Sequence, residues 1–308
     1  MNAMAAPLTI QRTTYKGWTN CWKVSNHEIE LIVTGHVGPR VIHFGFGGGQ
    51  NLFKNYPEQM GRSGEAEWMI RGGTRIWVGP EDRQATYALD NRPVEIAVEG
   101  DTLIATEPVE ESVRLQKQMI VKMSPSSARV EMVYRIRNAG LLPVEFASWI
   151  PSVMAPGGVG ITGFPPRGTH EDVLEPTNPL VMWAYTDLSD KRWVFSSKYL
   201  ALKQDPAAAT PQKIGHFNPR TWGAYLLDGE LFIKRYEPAP GRAHPEFGCS
   251  FEMFTNADML ELETMGPLRR VAPGEWVEHV EHWSLHRDVR VPEWNDAALD
   301  RALGQLLA

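Results

Sequence analysis

Hydrophobic and polar residues alternate along most of this chain, which predicts β-strands almost from end to end. Between Val130 and Arg137, the apolar residues Val130, Met132, Tyr134 and Ile136 recur at every second position. That two-residue period is typical of a half-buried strand. Similar patterns predict further strands at 28–33, 39–46, 67–71, 93–99, 102–106, 113–121, 143–150, 192–195, 198–203, 222–227, 230–236, 247–254, 259–264 and 276–285.

Turn signals separate these strands, and Asp228-Gly229 between two apolar runs predicts a tight hairpin. Helix-forming patterns are scarce. The best one is at the C-terminus, where Asn295 could cap a helix that carries Leu299, Leu303 and Leu306 on one face. Many short strands with frequent turns predict an all-β sandwich or barrel, and we expect one domain over residues 1–308.

Two stretches interrupt the strand pattern and are predicted to be long loops. Residues 151–180 are rich in Pro and Gly, and residues 204–222 are rich in Ala, Pro and polar residues. Long loops within a compact domain are usually functional or disordered, and we expect these to border a binding site. His170 and His216 lie in them and are candidates for acid–base chemistry or ligand contact, although a solvated loop histidine is the simpler interpretation.

Composition and charge narrow the classes of function. The 308 residues carry 31 Lys and Arg against 37 Asp and Glu, so a nucleic-acid partner, which needs a cationic face, is not expected. No long apolar run predicts a membrane span and no secretory signal is evident, so we expect a cytoplasmic protein. Cys21 and Cys249 are expected to be buried and reduced. The 11 Trp, 8 Tyr and 11 Phe favour either sugar stacking or a large aromatic core.

A cluster of glutamates lies in the segment SFEMFTNADMLELETMGPL. If Asn256 and Ala257 form a two-residue turn, Glu252 faces Glu261, and both share a sheet face with Glu263. Like charges directly opposite each other destabilise a sheet by up to about 1 kcal/mol, so a functional reason for them is plausible. Such carboxylates could bind sugar hydroxyls or act as a general base. The alternative is a solvated outer face that neighbouring Lys or Arg residues neutralise.

A second cluster lies in the segment IRGGTRIWVGPE, where Arg71, Arg75, Trp77 and Glu81 supply hydrogen-bonding groups and a stacking face around a glycine pair. The alternative is a turn whose arginines pair with surface acids. Histidines do not suggest a metal site, because His279 would point away from His282 and His286 on one strand, and no cofactor is expected.

Three segments, IRGGTRIWVGPE, RIRNAGLLPVEFASW and LELETMGPLRRVAPGEWVEHVEHWSL, give the chain a resemblance to the galactose mutarotase-like (aldose 1-epimerase) superfamily. The resemblance implies a large antiparallel β-supersandwich, here with a short C-terminal helix, that binds a sugar on the concave face of one sheet. It also implies anomer interconversion, in which a Glu removes the proton of the anomeric hydroxyl and a His protonates the ring oxygen.

Carried onto this sequence, the resemblance implies Glu263 or Glu261 as the base and Arg71 or Arg75 as substrate contacts. At the end of the central strand, where the histidine is expected, the sequence has Trp149 in FASWIP. The acid would then be His170 or His216. The further predicted contacts with a sugar are Trp77, Glu81, Trp149, Lys213 and Glu252.

Three functions follow as hypotheses, and the partner expected in the first two is a small carbohydrate. The first is an epimerase-like enzyme that acts on a sugar or sugar acid. The second is a non-catalytic carbohydrate-binding protein in which Trp149 replaces the acid. The third is a structural or regulatory protein with a vestigial cleft.

Overall fold

The structure, a computed structural model, describes residues 8–307. The first half of the chain forms β1 (Thr9–Tyr15), β2 (Trp18–Ser25), β3 (Ile29–Thr34), β4 (Val41–Phe46), a 3-10 turn (Pro57–Gln59), β5 (Gly73–Thr74), β6 (Trp77–Gly79), β7 (Glu95–Glu99), β8 (Thr102–Thr106), β9 (Leu115–Met123), β10 (Arg129–Asn138) and β11 (Val144–Met154). The second half forms β12 (Val159–Gly163), β13 (Leu180–Met182), β14 (Trp193–Phe195), β15 (Tyr199–Lys203), β16 (Gln212–His216), β17 (Trp222–Leu227), β18 (Glu230–Tyr236), α1 (Pro245–Gly248), β19 (Phe251–Thr255), β20 (Leu260–Met265), β21 (Arg269–Val271), β22 (Trp276–His286) and α2 (Asp296–Leu307).

These strands form two large antiparallel sheets, which confirms the predicted all-β fold. The first sheet has 12 strands in the order β1-β2-β3-β4-β5-β11-β20-β19-β16-β13, with β6 and β21 also paired to β11. The second sheet has 10 strands in the order β14-β15-β12-β17-β18-β22-β10-β9-β8-β7. Strand β11 is therefore a central strand of the first sheet, between the strand pairs β4-β5 and β19-β20. Within residues 8–307, no helix is long and apolar enough to cross a membrane.

The main core lies where the two sheets pack face to face. Its centre is a group of aromatic rings from both sheets: Phe44 and Phe53 meet Phe232 and Trp283 at centroid distances of 5.2 to 6.0 Å. Side chains of β22 alternate between buried and more exposed positions, as its period-2 pattern predicts. The alternation places His279 inside and His282 outside, in agreement with the predicted separation of these histidines.

A buried ion pair of the second sheet also contacts the first sheet. Lys234 on β18 lies 2.8 Å from Glu281 on β22, and both side chains are fully buried. The Lys234 Nζ also donates hydrogen bonds to the carbonyls of Ile150 on β11, at 2.9 Å, and Leu262 on β20, at 3.3 Å. Burial lowers the pKa of Lys234, whereas the Glu281 charge raises it. The pair therefore fixes the backbones of β11 and β20 against the second sheet.

Several predicted elements differ from the observed ones. The predicted loop 151–180 contains the end of β11, strand β12 and the first residue of β13, and the predicted loop 204–222 contains β16. β16 has a weak strand pattern because Gly215 stands where a side chain is expected. A Cβ at Gly215 would lie only 2.5 Å from the Cys249 Sγ, so a neighbouring side chain occupies that space.

The predicted strand at 67–71 is absent from the structure. Arg71, Gly72 and Gly73 all have positive φ angles, which end extended structure. A Cβ at Gly72 would lie 1.9 Å from the Lys54 carbonyl oxygen. The glycine pair therefore allows a close approach of backbone.

The hairpin at Asp228-Gly229 is confirmed, because Leu227 pairs directly with Glu230. The C-terminal helix is confirmed too. Asn295 accepts a hydrogen bond on its side-chain oxygen from the Ala298 N–H at 2.9 Å, and Leu299 and Leu303 are buried. The helix packs with the buried residues Ile161, Trp222 and Leu231 of the second sheet.

We expect Asn295→Ala to lower the free energy of unfolding by about 1 kcal/mol, because the substitution removes the side-chain cap of α2. Asn295→Asp keeps a capping oxygen and should retain most of the stability. Urea unfolding of both variants measures the difference. Equal losses in the two variants would contradict a capping role.

Candidate functional site

The glutamate-bearing hairpin joins β19 to β20 through a four-residue loop rather than the predicted two-residue turn. Thr255 pairs with Leu260, and Glu252 pairs with Glu263. The Asn256 side chain closes the loop by accepting hydrogen bonds from the N–H groups of Asp258 and Met259 at 2.8 and 3.1 Å. The predicted register is therefore wrong by two residues. A shift of two keeps every side chain on its predicted face.

Glu252, Glu261 and Glu263 share one face of the first sheet, which we call the glutamate face. The alternate residues of the hairpin, such as Met253 and Leu262, point into the core between the sheets. All three glutamates are buried: their exposed fractions are 0%, 7% and 1%. The alternative of a solvated acidic face is wrong, although its expectation of neighbouring cations is confirmed.

Lys213 supplies the first of these cations. It lies on β16 directly opposite Phe254, which places its side chain on the glutamate face. The Lys213 Nζ is 2.6 Å from Glu252 Oε2 and 3.2 Å from Glu263 Oε2. Burial alone would lower the pKa of Lys213, but the charges of Glu252 and Glu263 raise it well above its usual range. One ammonium group is thus shared between two carboxyl groups.

Arg75 supplies the second cation. It is buried and donates a hydrogen bond from one terminal nitrogen to Glu261 Oε1 at 2.8 Å. Its guanidinium also stacks over Trp77, with the Cζ atom 3.9 Å from the ring centroid. Arg75 and Glu261 therefore form a separate ion pair beside the group around Lys213.

Aromatic side chains cover the carboxylates. Trp149 on β11 donates its indole N–H to Glu263 Oε2 at 2.8 Å and contacts Trp77 with a centroid distance of 5.1 Å. Trp68 and Tyr87, from loops outside the sheet, pack on Trp77 at 5.3 and 5.0 Å. We call Trp68, Trp77, Tyr87 and Trp149 the aromatic cover.

Several polar atoms of this region have no hydrogen-bond partner among residues 8–307. Oε1 of Glu263 and Oε1 of Glu252 are two such buried acceptors. Three buried donors also lack a partner among these residues: the indole N–H groups of Trp68 and Trp77, and the NH1 group of Arg75. Buried polar groups normally have partners, so this concentration of unused donors and acceptors needs an explanation.

The structure brings together seven of the predicted site residues and separates the others from them. Those gathered at the glutamate face are Arg75, Trp77, Trp149, Lys213, Glu252, Glu261 and Glu263. Glu81 lies at the rim, where it accepts a hydrogen bond from the Tyr87 hydroxyl. Arg71 is buried but pairs with Glu65, away from the three glutamates.

Neither candidate histidine reaches the carboxylates. His216 pairs with Phe251 on the opposite face of the sheet, and burial lowers its pKa to about 4. It lies 3.3 Å from Thr162 Oγ1 in the core. His170 is exposed and lines an open surface depression with Arg167 and Glu175. Their catalytic roles stay predictions that these positions do not support.

Four residues near the site lay outside the sequence prediction: Trp68, Tyr87, Trp183 and Tyr185. Trp183 stacks on Lys213, with Nζ 4.7 Å from its ring centroid. Burial raises the pKa of Tyr185 to about 12, and the charges of Lys213 and Glu263 also act on it. All four stand in irregular segments without periodicity. The one feature of the sequence that could have indicated these aromatic residues as part of a site is the high tryptophan content.

Metal ligation finds no support in this arrangement. No group of three or more His, Cys, Asp or Glu side chains within the described part of the chain could hold a metal ion. Cys21 and Cys249 are both buried free thiols, as predicted.

Solved structures resemble the chain over most of its length. The Slr1438 protein from Synechocystis sp. PCC 6803 superposes with a TM-score of 0.58 at 12% identity, covering 93% of this chain and 100% of that chain. A galactose mutarotase-like protein from Lactobacillus casei ATCC 334 gives 0.56 at 8% identity, covering 86% and 99%. This chain has the galactose mutarotase-like fold.

A galactose mutarotase related enzyme from Lactobacillus acidophilus has the same fold, with a TM-score of 0.52 at 9% identity, covering 87% of this chain and 98% of that chain. No protein-family model and no curated protein matches the sequence. At such low identities the likeness establishes the mutarotase-like fold, which confirms the expectation from the sequence motifs. The function has to be argued from the site.

We expect Lys213→Met to lower the free energy of unfolding by about 3–5 kcal/mol at neutral pH, because it leaves two buried carboxyl groups without their cation. The loss should shrink in acid, where protonation of the carboxyls removes the unpaired charge. Lys191→Met, at an exposed position, is the matched control and should change stability by less than about 0.5 kcal/mol. Denaturant unfolding at two pH values measures both variants, and similar small losses would contradict a shared buried lysine.

Proposed function

We propose that this protein binds a neutral sugar at the glutamate face and interconverts its anomers, with Glu263 as the general base. The observation that carries the proposal is the set of buried carboxylate oxygens, next to aromatic rings, that have no hydrogen-bond partner in the part of the chain that the structure describes. A sugar ring has hydroxyls that donate to carboxylates and an apolar face that packs on indoles. Pockets for small ligands combine an apolar lining with a few placed polar groups in this way.

Charge favours a neutral sugar over a phosphorylated or acidic one. The glutamate face carries three carboxyl groups and two cations, Lys213 and Arg75, and both cations already contact carboxylates. An anionic substrate would add charge to a site that has no spare cation among these contacts. Hydroxyl donors, in contrast, match the unused acceptors of Glu252 and Glu263.

Glu263 is the better base of the two candidates that the sequence left open. Arg75 donates a hydrogen bond directly to Glu261 Oε1, so this carboxyl group is already engaged in an ion pair. Lys213 and Trp149 hold one oxygen of Glu263, and its other oxygen, Oε1, has no hydrogen-bond partner among the described residues. Burial also raises the pKa of Glu263, which brings it closer to that of an effective base at neutral pH.

Access to these carboxylates requires movement of the aromatic cover. Trp68 and Tyr87 stand in loops rather than in strands, so they are the part of the cover that can shift without breaking the sheet. A sugar that replaced their contacts would alter the surroundings of several indoles. Tryptophan fluorescence should therefore report binding.

A non-catalytic carbohydrate-binding protein is the second candidate. Trp149 favours it, because this tryptophan occupies the strand position where the resemblance implies the histidine acid. Binding would then use the same face without proton transfer. A closed cover with no ligand would instead suit a vestigial cleft.

Anomer exchange measured by NMR saturation transfer tests the proposal across a panel of neutral aldoses, sugar phosphates and uronic acids. We expect faster exchange for at least one neutral aldose, together with a rise in melting temperature. Glu263→Gln should reduce the rate by about 10²–10⁴-fold, because it removes the base. Glu99→Gln, at an exposed edge position of β7, is the control and should leave the rate unchanged.

The outcomes separate the three functions. Binding without faster exchange would support the non-catalytic protein. If no sugar in the panel changes the exchange rate, the melting temperature or the fluorescence, carbohydrate function is excluded for those ligands and the vestigial cleft is favoured. Stronger binding of phosphorylated sugars would contradict the charge argument.

A further inference from the structure

The charge balance around Lys213 determines the protonation of its two partners. Lys213, Glu252 and Glu263 are all at least nine-tenths buried, and Arg75 is already paired with Glu261. If both carboxyls were ionised, this group would hold a net negative charge out of contact with water, which is costly. Two carboxyls that share one buried site resolve this conflict when one of them keeps its proton.

The surroundings of the two carboxyls differ, which decides where the proton lies. Glu263 accepts a hydrogen bond from the Trp149 indole N–H in addition to its contact with Lys213, and such donors stabilise the ionised form. Within residues 8–307, the carboxyl group of Glu252 has a polar contact with Lys213 alone. Its side chain packs near Gly215 in a space bounded by Cys249 and Trp183, which exposes it to a less polar environment.

Other charged groups near Glu252 act on its charge in opposite directions. Lys213 faces it from β16, Glu263 faces it from β20, and Glu246 lies in α1 just before β19. The thiol of Cys249 stands between α1 and β19. Both glutamates repel a charge on Glu252, and Lys213 attracts it. Burial raises the pKa of Glu252 to about 8.

We propose that Glu252, held as a neutral carboxylic acid beside ionised Glu263, is the general acid of this site. The inference rests on the proposed function and deepens it, because it supplies the proton donor that neither His170 nor His216 is placed to provide. When two neighbouring carboxyl groups have different pKa values, the protonated one can act as the acid and the ionised one as the base.

The proton transfers balance over the reaction. Glu263 takes the proton of the anomeric hydroxyl, and Glu252 gives its proton to the ring oxygen as the bond between that oxygen and C1 breaks and the C1 carbonyl forms. After rotation about C1–C2, the former ring oxygen attacks the other face of the carbonyl and returns a proton to Glu252. Glu263 returns its proton to the carbonyl oxygen, so both side chains recover their initial states without any further reactant.

The test combines kinetics with a measurement that needs no activity. We expect Glu252→Gln to lower kcat for anomer exchange by about 10²–10⁴-fold with little change in sugar binding. In the unsubstituted protein the rate should fall on the alkaline side with an apparent pKa of about 8, as Glu252 loses its proton. Glu263→Gln should lower the rate by about 10²–10⁴-fold through loss of the base, and Glu99→Gln serves again as the control.

Infrared spectroscopy of the ligand-free protein at about pH 7 gives the second readout, because it detects the C=O stretch of a protonated carboxyl. We expect the contribution of Glu252 to this band to disappear above its titration. The band should also be weaker in Glu252→Gln than in the Glu99→Gln control. Near-normal kcat in a folded Glu252→Gln protein, or a Glu252 that is ionised at neutral pH, would overturn the inference. An unsubstituted protein that neither binds nor converts sugars would overturn the proposed function instead, whatever the infrared result.

Discussion

The contact of one buried lysine with two buried carboxyl groups is the constraint on which the site depends. Lys213 reaches Glu252 and Glu263 only because β16, β19 and β20 are neighbours in the first sheet with their side chains in phase. A strand shifted by one residue would turn its carboxyl or ammonium group into the apolar core. The polar face and the hydrophobic core therefore enforce the same strand register.

The other side of the sheet supports this arrangement. Lys234 comes from the second sheet and binds backbone carbonyls of β11 and β20, the strands that carry Trp149 and Glu263. A charged pair inside a sandwich core is expensive to desolvate, and it is better understood as fixing geometry than as adding stability. The strand β20, which carries Glu261 and Glu263 on one face, is thus fixed by core contacts on its other face.

Much of the architecture could be predicted from the sequence because local patterns carry it. Alternation along β10 and β22, the turn at Asp228 and the cap at Asn295 each depend on residues close together in the chain. The register of the β19–β20 hairpin was wrong because Asn256 closes a four-residue loop through its side chain, which the two-residue turn assumption does not include. Strand β16 was missed because Gly215 makes room for Cys249, a long-range packing effect.

The site was predictable only in part. Strand parity placed Glu252, Glu261 and Glu263 together, but it did not indicate Trp68 and Tyr87, which pack on Trp77 from distant loops. The pairing of Glu261 with Arg75 joins residues 186 positions apart, and no local pattern indicates it. The sequence motif indicated that Arg71 or Arg75 belongs to the site. Only the folded structure shows that Arg75 lies at the glutamate face, whereas Arg71 pairs with Glu65.

A crystal structure of the protein with a neutral aldose bound is the most direct measurement of the central claim. We predict that the sugar displaces part of the aromatic cover and lies against the glutamate face. Its anomeric hydroxyl should lie within hydrogen-bond distance of Glu263, and its ring oxygen should face Glu252. A sugar bound at another surface, or an aromatic cover that stays closed at saturating sugar, would contradict the claim.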